Sequence, residues 1–202
     1  FLMEVMPVHI NDESEQPVLV SAVVQLKQVA MNNTPQTVFR TPSDHGFEHL
    51  VGQSNKFKQL ISQAKKLAML DAPLLIQGET GTGKEMMARA CHRHSLRADK
   101  PFLLVNCVSM PDNAAETELF GMAAAEEGGS AKKGILEQAD GGTVFLYEVG
   151  EMSRHLQVKL LRFMQDGTFR RVGEEREMQV DVRVICSTQK NLPELVAAHQ
   201  FR

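Results

Sequence analysis

A glycine-rich turn between an apolar strand and a helix is the feature that most constrains the fold of this chain. The strand covers residues 73–76, the turn reads Gly-Glu-Thr-Gly-Thr-Gly-Lys at 78–84, and the helical pattern continues through Ala90. Such a turn brings backbone N–H groups to one point, and the helix N-terminus adds a partial positive charge. Lys84 adds a point charge for phosphate oxygens. The sequence therefore predicts a polyphosphate-binding loop; the alternative, a chance glycine-rich turn, is disfavoured because strand, spacing and helix all agree.

Four apolar runs alternate with helical or irregular stretches along the rest of the chain. They predict strands at 73–76, 102–105, 143–146 and 182–186. Continuous apolar strands separated by helices are typical of a mainly parallel sheet covered on both faces, which is an α/β fold. Ligands bind such sheets at the carboxyl ends of the strands. We therefore expect Gly78, Tyr147-Glu148 and Thr188-Gln189 to lie at one edge.

The second half of the predicted site departs from the pattern of a metal-dependent nucleotide hydrolase. Tyr147-Glu148 follows the strand at 143–146, where such enzymes normally place Asp-Glu. A phenol, with a reference pKa of about 10, is neutral at pH 7 and lacks the carboxylate that a hard cation prefers. Glu85 replaces the Ser or Thr whose hydroxyl usually contacts the metal. The sequence predicts nucleotide binding with a weakly held Mg²⁺ and no metal site built from protein ligands.

The N-terminal residues have a different pattern. Residues 1–29 alternate as two strands around a polar turn at 11–15, which predicts a β-hairpin. Two strands are marginally stable alone, so we expect them to complete a sheet formed by preceding residues or to pair with a second chain. Residues 30–46 show no period and read as a linker, and a second unit begins at 47.

Composition excludes several classes of function. The net charge of −3 disfavours a broad nucleic-acid-binding surface. No apolar run approaches the ~20 residues needed to cross a bilayer, and no signal sequence is visible, so a cytoplasmic protein without membrane contact is predicted.

The three cysteines are widely spaced, as expected for reduced thiols near a core. The chain begins and ends without the usual signals and reads as an excerpt of something longer.

Several short motifs occur in a fixed order and together resemble a known family. They are Gly-Glu-Thr-Gly-Thr-Gly-Lys-Glu at 78–85, Glu-Leu-Phe-Gly at 118–121, Gly-Gly-Thr-Val-Phe-Leu at 141–146, Gly-Glu-Met at 150–152, Leu-Leu-Arg-Phe at 160–163 and Arg-Val-Gly at 171–173. Residues 47–202 resemble the AAA+ module (sigma-54 interaction domain) of bacterial enhancer-binding transcription regulators. Within this family the chain is most similar to TyrR-type regulators, which respond to aromatic amino acids.

The resemblance implies a P-loop AAA+ three-layer sandwich, preceded by the last strands of a PAS domain at 1–29 and truncated before the family's helical lid. It implies that Glu148 polarises the attacking water, that Asn106 is a switch holding that glutamate, and that Arg202 is an arginine finger for a neighbouring subunit; a solvated terminal arginine is the alternative for Arg202. It implies that Leu50 and Val51 flank adenine and that Thr188 and Gln189 sense the γ-phosphate. The phosphate-loop residues implied to bind ATP are Gly78, Glu79, Thr80, Gly81, Thr82, Gly83, Lys84 and Glu85.

One departure from the wider family bears on partners. Members that remodel the sigma-54 polymerase carry Gly-Ala-Phe-Thr-Gly-Ala soon after Glu-Leu-Phe-Gly, and the stretch 122–133 lacks it. The composition of that stretch offers nothing to anchor it in a core and predicts a surface loop. TyrR-type regulators also lack the motif. They act as repressors or activators with the housekeeping RNA polymerase and use nucleotide and an aromatic amino acid to set their oligomeric state.

Three functions remain open from the sequence. The favoured one is an ATP-binding module whose hydrolysis is impaired and which assembles with itself, as a dimer or a nucleotide-driven hexamer, in a regulator that binds DNA through a C-terminal domain. The second is an active ring-forming ATPase of an enhancer-binding activator. The third is a structural dimerisation piece that uses the apolar strand edge of residues 1–29.

Overall fold

The computed structural model of the protein describes residues 5–11, 17–26, 46–108, 111–124 and 130–202. The strands are β1 (Val5–Asn11), β2 (Pro17–Leu26), β3 (Leu74–Gly78), β4 (Phe102–Asn106), β5 (Thr143–Tyr147), β6 (Thr168–Arg170), β7 (Glu177–Gln179) and β8 (Arg183–Thr188). The helices are α1 (Asn55–Ala68), α2 (Lys84–Arg93), α3 (Asp112–Phe120), α4 (Ile135–Gln138), α5 (Arg154–Asp166) and α6 (Leu192–Ala197). Single turns of 3-10 helix lie at Phe47–His49 and Val149–Glu151.

The described strands form one six-stranded sheet in the order β1-β2-β3-β8-β5-β4, with β6 and β7 as a separate antiparallel pair. The four central strands, β3, β8, β5 and β4, are all parallel. Their carboxyl ends therefore lie at one edge of the sheet. The α/β class and the mainly parallel sheet predicted from the sequence are confirmed.

Helices cover both faces of this sheet and give it three layers. One buried cluster joins α3, α4 and α5 to one face, with Leu119, Leu136 and Leu160 among its residues. The other joins α1 and α2 to the opposite face through Leu60 and Met87. Each layer excludes water from the continuous apolar strands, which explains why those strands do not alternate with polar residues.

Helices α1 and α5 begin where the sequence places a hydroxyl. Ser54 Oγ accepts a hydrogen bond from Phe57 N–H (3.1 Å), and Ser153 Oγ accepts one from Leu156 N–H (3.4 Å). Each bond satisfies an amide that has no partner within the helix. The buried residues of α1 recur every fourth position, as an apolar stripe packed against the sheet requires.

The hairpin predicted in the N-terminal residues is present as β1 and β2, which pair antiparallel from Val5↔Val24 to Asn11↔Pro17. Its position differs from expectation. Strand β2 lies parallel to β3 of the same chain, with Leu26 opposite Gly78. The unpaired backbone edge of β3 supplies the partner groups that we had expected from preceding residues or a second chain. The PAS assignment and the domain boundaries remain predictions, and residues 30–45 of the expected linker lie outside the described residues.

The described ends of the stretch after Phe120 lie at the surface, as its composition predicts, but backbone hydrogen bonds that the composition does not reveal hold them in place. Met122 and Lys132 exchange two backbone hydrogen bonds of 2.9 Å, and Ala123 N–H donates to Val172 O at 2.9 Å. Backbone pairing to the segment beside β6 fixes these ends without any apolar side chain, which composition does not reveal. Residues 125–129 lie outside the described part of the chain.

Candidate functional site

The glycine-rich loop connects β3 to α2 and turns sharply at two left-handed residues. Gly81 and Gly83 have φ of 81° and 86°, a region that side chains with a Cβ rarely adopt. Gly83 is the N-cap of α2, and no side chain accepts from the first amides of the helix. Those amides are therefore available to an anion, as at other helix N-termini.

Lys84 is buried (3% exposed) and directs its ammonium at three oxygens of the protein. Nζ donates to Gly78 O at 2.8 Å and to Glu79 O at 3.1 Å, and it lies 3.0 Å from Glu148 Oε1. The contact with Glu148 is an ion pair without hydrogen-bond geometry, because Oε1 has no hydrogen-bond partner among the described residues. A phosphate in the loop would compete for a lysine that is already in place.

Glu148 lies immediately after β5 and is also buried (3% exposed). Its backbone is left-handed, with φ of 56°, a conformation that costs a residue with a Cβ about 1–2 kcal/mol. Its N–H donates to the buried Ser187 Oγ at 3.4 Å. Strained backbone at the end of a central strand directs the carboxylate toward Lys84, where a general base of a nucleotide site is expected.

The residues after β8 complete this edge of the sheet. Gln189 N–H donates to Glu148 Oε2 at 2.9 Å, and Thr80 Oγ1 donates to Gln189 Oε1 at 2.8 Å. Thr188 is fully buried and its Oγ1 accepts from Lys190 N–H at 3.1 Å. The structure thus brings the phosphate loop, Glu148 and the predicted sensor residues together.

Tyr147 lies between the phosphate loop and the sheet core. Lys84 Nζ is 5.8 Å from the centre of its ring, and the ring meets Phe145 edge-on at 6.3 Å. Burial raises the pKa of Tyr147, and the nearby carboxylates of Glu148 and Glu85 raise it further. The phenol therefore stays neutral across the physiological range.

Glu85 is engaged by the next turn of its own helix. Its Oε1 accepts from Arg89 Nε at 2.9 Å and from Arg89 Nη2 at 2.7 Å. Sequence reasoning missed Arg89, although an acid and a base four residues apart on a helix are a readable signal. Ser187 was also missed, since nothing in the sequence distinguishes it from a core residue of β8.

The residues present fit a polyphosphate better than they fit a firmly held Mg²⁺. The left-handed glycines, the uncapped helix amides and Lys84 suit phosphate. At the positions expected to hold the metal, a neutral phenol replaces one ligand and an arginine-paired carboxylate replaces the other. Oxygen ligands for a hard cation would then come from the phosphates and water.

The remaining predicted site residues lie further from the loop. Asn106 ends β4 beside Tyr147, but its Oδ1 accepts from Val108 N–H (3.0 Å), and within the described residues its side chain makes no hydrogen bond to Glu148. Leu50 packs against the core cluster beneath α1 and α2, whereas Val51 is 90% exposed. Arg202 N–H donates to Gln157 on α5, so in this protomer it is not part of the phosphate loop's surroundings. Its role in a neighbouring subunit remains a prediction.

The three cysteines are free thiols, as their wide spacing predicts. Burial raises the pKa of Cys91, Cys107 and Cys186 to about 12, which keeps them protonated and unreactive, as the sequence predicted for reduced thiols. No cluster of three potential metal ligands occurs in the part of the chain that the structure describes. In the same residues no helix is long and apolar enough to cross a bilayer.

Comparison with known proteins places this site in a family context. Residues 50–202 match the family described as the sigma-54 interaction domain. The chain is 53% identical over 202 residues to the HTH-type transcriptional regulatory protein TyrR of Salmonella typhimurium, covering all of this chain and 38% of that protein. It is 45% identical over 163 residues to the Nif-specific regulatory protein of Enterobacter agglomerans, covering 80% of this chain and 32% of that one. The chain thus spans well under half the length of these relatives.

Solved structures share the fold. NtrX from Brucella abortus in complex with ATP superposes with a TM-score of 0.69 at 40% identity, over 76% of this chain and 35% of NtrX. Its complex with ADP gives a TM-score of 0.70 at 40% identity, over 76% of this chain and 34% of NtrX. These neighbours carry the AAA+ P-loop fold, which confirms the fold predicted from the ordered motifs.

Proposed function

The chain belongs to the sigma-54 interaction domain family, and from this premise we propose that it is the ATP-binding and oligomerisation module of a bacterial transcription regulator of aromatic amino acid metabolism. Identity with TyrR over the whole chain supports the choice of regulator. The binding of ATP and ADP by NtrX supports the choice of ligand.

The observation that carries the proposal is the buried lysine of the phosphate loop. Lys84 Nζ lies 3.0 Å from Glu148 Oε1. Lys84 is also the first residue of α2, whose N-terminal amides have no side-chain cap. A cation and several N–H donors converge there, so the polyphosphate of a nucleotide is the ligand that matches the charge and the donors. ATP is bound by the loop residues, and Leu50 and Val51 flank its adenine.

Hydrolysis by this module is impaired because the metal is weakly held. When bound, Mg²⁺ neutralises charge on the β and γ oxygens of the nucleotide. Tyr147 supplies no carboxylate for it, and Glu85 is paired with Arg89. The chain's own residues hold the phosphates, position Glu148 and exclude water from Lys84, which suffices for binding but not for rapid turnover.

The partners follow from the same proposal. The protein assembles with itself, as a dimer or a nucleotide-driven hexamer, and responds to an aromatic amino acid. It acts with the housekeeping RNA polymerase rather than with sigma-54, since the stretch 122–133 lacks Gly-Ala-Phe-Thr-Gly-Ala. DNA binding is assigned to a segment of the longer protein C-terminal to these residues, and the setting is the cytoplasm.

The test is sedimentation of the chain with and without a non-hydrolysable ATP analogue, alongside calorimetry of ATP binding. We expect uptake of the nucleotide, an increase in mass and little release of phosphate. Lys84→Ala serves as the matched variant and should show neither uptake nor the change in mass. An unchanged mass at saturating analogue would reject the assembly role, and no heat of binding at millimolar ATP would reject the nucleotide role.

A second candidate function is an active ring-forming ATPase of an enhancer-binding activator. It is favoured by Glu148, whose strained backbone and hydrogen bond from Gln189 N–H hold a carboxylate at the position of the general base. Arg202 would then act in the neighbouring subunit's site. Phosphate release that disappears in Glu148→Gln would establish this function over the first.

A further inference from the structure

We propose that Gln189 is a positioning residue that couples the phosphate loop to Glu148, through its main-chain N–H on the carboxylate and its side-chain oxygen on Thr80. The inference rests on the proposed nucleotide-binding function and goes beyond it. It assigns to Gln189 a task distinct from direct contact with a γ-phosphate, which the resemblance implies for this position.

The coupling is visible as two hydrogen bonds made by one residue. Thr80 Oγ1 donates to Gln189 Oε1 at 2.8 Å. Gln189 N–H donates to Glu148 Oε2 at 2.9 Å. Thr80 and Gln189 are separated by 109 positions, so no local constraint of the chain forces them together. A shift of the loop at Thr80 therefore acts on the same residue that fixes one carboxylate oxygen of Glu148.

The residues on either side of Gln189 are held independently. Gln77 Nε2 donates to Lys190 O at 2.9 Å, Lys190 N–H donates to Thr188 Oγ1 at 3.1 Å, and Lys190 Nζ contacts Glu151 at 2.8 Å. Thr188 is fully buried, whereas Gln189 is exposed. From this anchored position Gln189 holds Thr80 with its side chain and Glu148 with its main-chain N–H at the same time.

The other oxygen of Glu148 gives the coupling its direction. Oε1 lies 3.0 Å from Lys84 Nζ, and the same ammonium donates to two carbonyls of the loop. To contact a phosphate, Lys84 must give up part of this set. The bond between Thr80 and Gln189 stabilises the arrangement in which Lys84 contacts the loop carbonyls and Glu148. It therefore acts as a latch that has to open when a nucleotide binds.

The experiment is a double-mutant cycle on ADP affinity, measured by calorimetry on the 202-residue chain with the substitutions Thr80→Val and Gln189→Leu. Each removes one side of the bond and keeps the size of the side chain. Because an exposed hydrogen bond is weak, we expect each single variant to bind ADP about two- to fivefold more tightly, and the double variant to bind no more tightly than either.

Two further variants separate coupling from a general structural effect. Thr82 lies in the same loop, but its hydroxyl donates to Glu79 O at 2.8 Å, so the effect of Thr82→Val should multiply with that of Gln189→Leu. Thr80→Ser keeps the hydroxyl that bonds Gln189, so Gln189→Leu should tighten ADP binding in the Thr80→Ser background by the same factor as in the parent chain. Thermal melts without added nucleotide identify any variant that fails to fold.

Each outcome decides the matter. If the parent chain binds ADP but the single variants bind it equally or more weakly, or if their effects multiply as in the Thr82 control, the latch is wrong and the proposed function stands. If neither the parent chain nor any folded variant takes up ADP at millimolar concentration, the proposed function fails and the coupling fails with it.

Discussion

Tyr147 stands where metal-dependent nucleotide hydrolases have an aspartate. This one side chain determines how well the site can hold the metal of a bound nucleotide. Its ring packs against Phe145 and lies 5.8 Å from the ammonium of Lys84. An aspartate there would present a carboxylate to a metal at the end of β5, whereas the phenol offers a neutral oxygen. The residue removes charge from the site without disturbing the strand that carries it.

Replacing Tyr147 by aspartate should restore metal-dependent turnover. We expect Tyr147→Asp to raise the rate of phosphate release from ATP on the order of 10²-fold in the presence of Mg²⁺, because electrostatic stabilisation of developing charge has effects of this size. Tyr147→Phe is the matched control, and its rate should equal that of the parent chain. Equal rates for the aspartate and phenylalanine variants would show that metal binding is not what limits hydrolysis.

Lys84 links nucleotide affinity to folding stability. Lys84→Met should abolish ADP binding and lower the free energy of unfolding by about 3–5 kcal/mol, because it leaves the carboxylate of Glu148 buried without its counter-ion. The double variant Lys84→Met/Glu148→Gln removes that charge as well and should recover part of the loss. Denaturant titrations measure the free energy of unfolding of both variants. If the double variant is no more stable than Lys84→Met, the unpaired charge of Glu148 is not the cause of the lost stability.

At the level of secondary structure, the end of α1 depends on a residue from a distant strand. The buried Arg183 of β8 donates to Ala68 O at 2.7 Å, Leu67 O at 3.1 Å and Ala72 O at 3.3 Å. The last carbonyls of a helix lack partners within the helix, and a cation also suits the negative end of its dipole. A single guanidinium thus caps the C-terminal end of α1 and links it to β8 of the central sheet.

Removing this guanidinium should destabilise the fold. We expect Arg183→Met to lower the free energy of unfolding by about 2–3 kcal/mol, because buried carbonyls lose a charged donor. Arg170→Met is the comparison. Arg170 lies on the exposed hairpin of β6 and β7 and pairs with Glu177 at 3.4 Å, so its loss should cost less than about 0.5 kcal/mol. Similar losses of unfolding free energy in the two variants would show that Arg183 contributes no more to stability than an exposed ion pair does.

The elements that could be predicted are those with a local signal. Apolar runs predicted the four central strands, and the glycine-rich turn predicted the start of α2. The role of Arg183 could not be predicted, since its acceptors lie more than 110 positions away. Likewise, the pairing of β2 with β3 depends on which edge of the sheet is available, a property of the assembled sheet that no segment encodes alone.

Across the whole molecule, the sheet explains why part of the site was predictable. Parallel strands end at one edge, so Gly78, Glu148 and Gln189 had to lie near one another once the strands were assigned. The pattern could not show that Lys84 binds loop carbonyls or that Thr80 reaches Gln189, because such contacts depend on side-chain geometry at ångström scale. The spacing of motifs therefore locates this site but does not reveal how its residues are held.

The contact between α2 and the sheet makes the stability of the molecule depend on pH. His92 Nδ1 lies 2.9 Å from Thr143 Oγ1 in the core, and burial lowers the pKa of His92 to about 4, with the charge of Arg183 contributing. In the unfolded chain a histidine has a pKa of about 6.5. Between pH 6.5 and 4, His92 therefore binds a proton in the unfolded chain but stays neutral in the folded chain. Stability contributed here is present above pH ~6.5 and is lost as the pH falls toward 4.

We expect this residue to account for up to about 3 kcal/mol of acid destabilisation between pH 6.5 and 4. His92→Gln cannot take up the proton, so its free energy of unfolding should fall less steeply over that range, although it is less stable at pH 7. The comparison is His199→Gln, which replaces an exposed histidine by the same residue without touching the core contact of His92. Parallel pH profiles for the parent chain and His92→Gln would assign the acid sensitivity to the carboxylates instead.

The placement of Tyr147 gives the chain a built-in optical reporter. The chain contains one tyrosine and no tryptophan. On excitation at wavelengths that its phenylalanines do not absorb, its ultraviolet emission therefore originates from a single ring. The ring lies 5.8 Å from the charged amine of the phosphate loop, which itself pairs with the carboxylate of Glu148 at the end of β5. Any rearrangement of those two charges will register as a change in intensity, so occupancy and motion at this edge of the sheet can be followed in real time without attaching a dye.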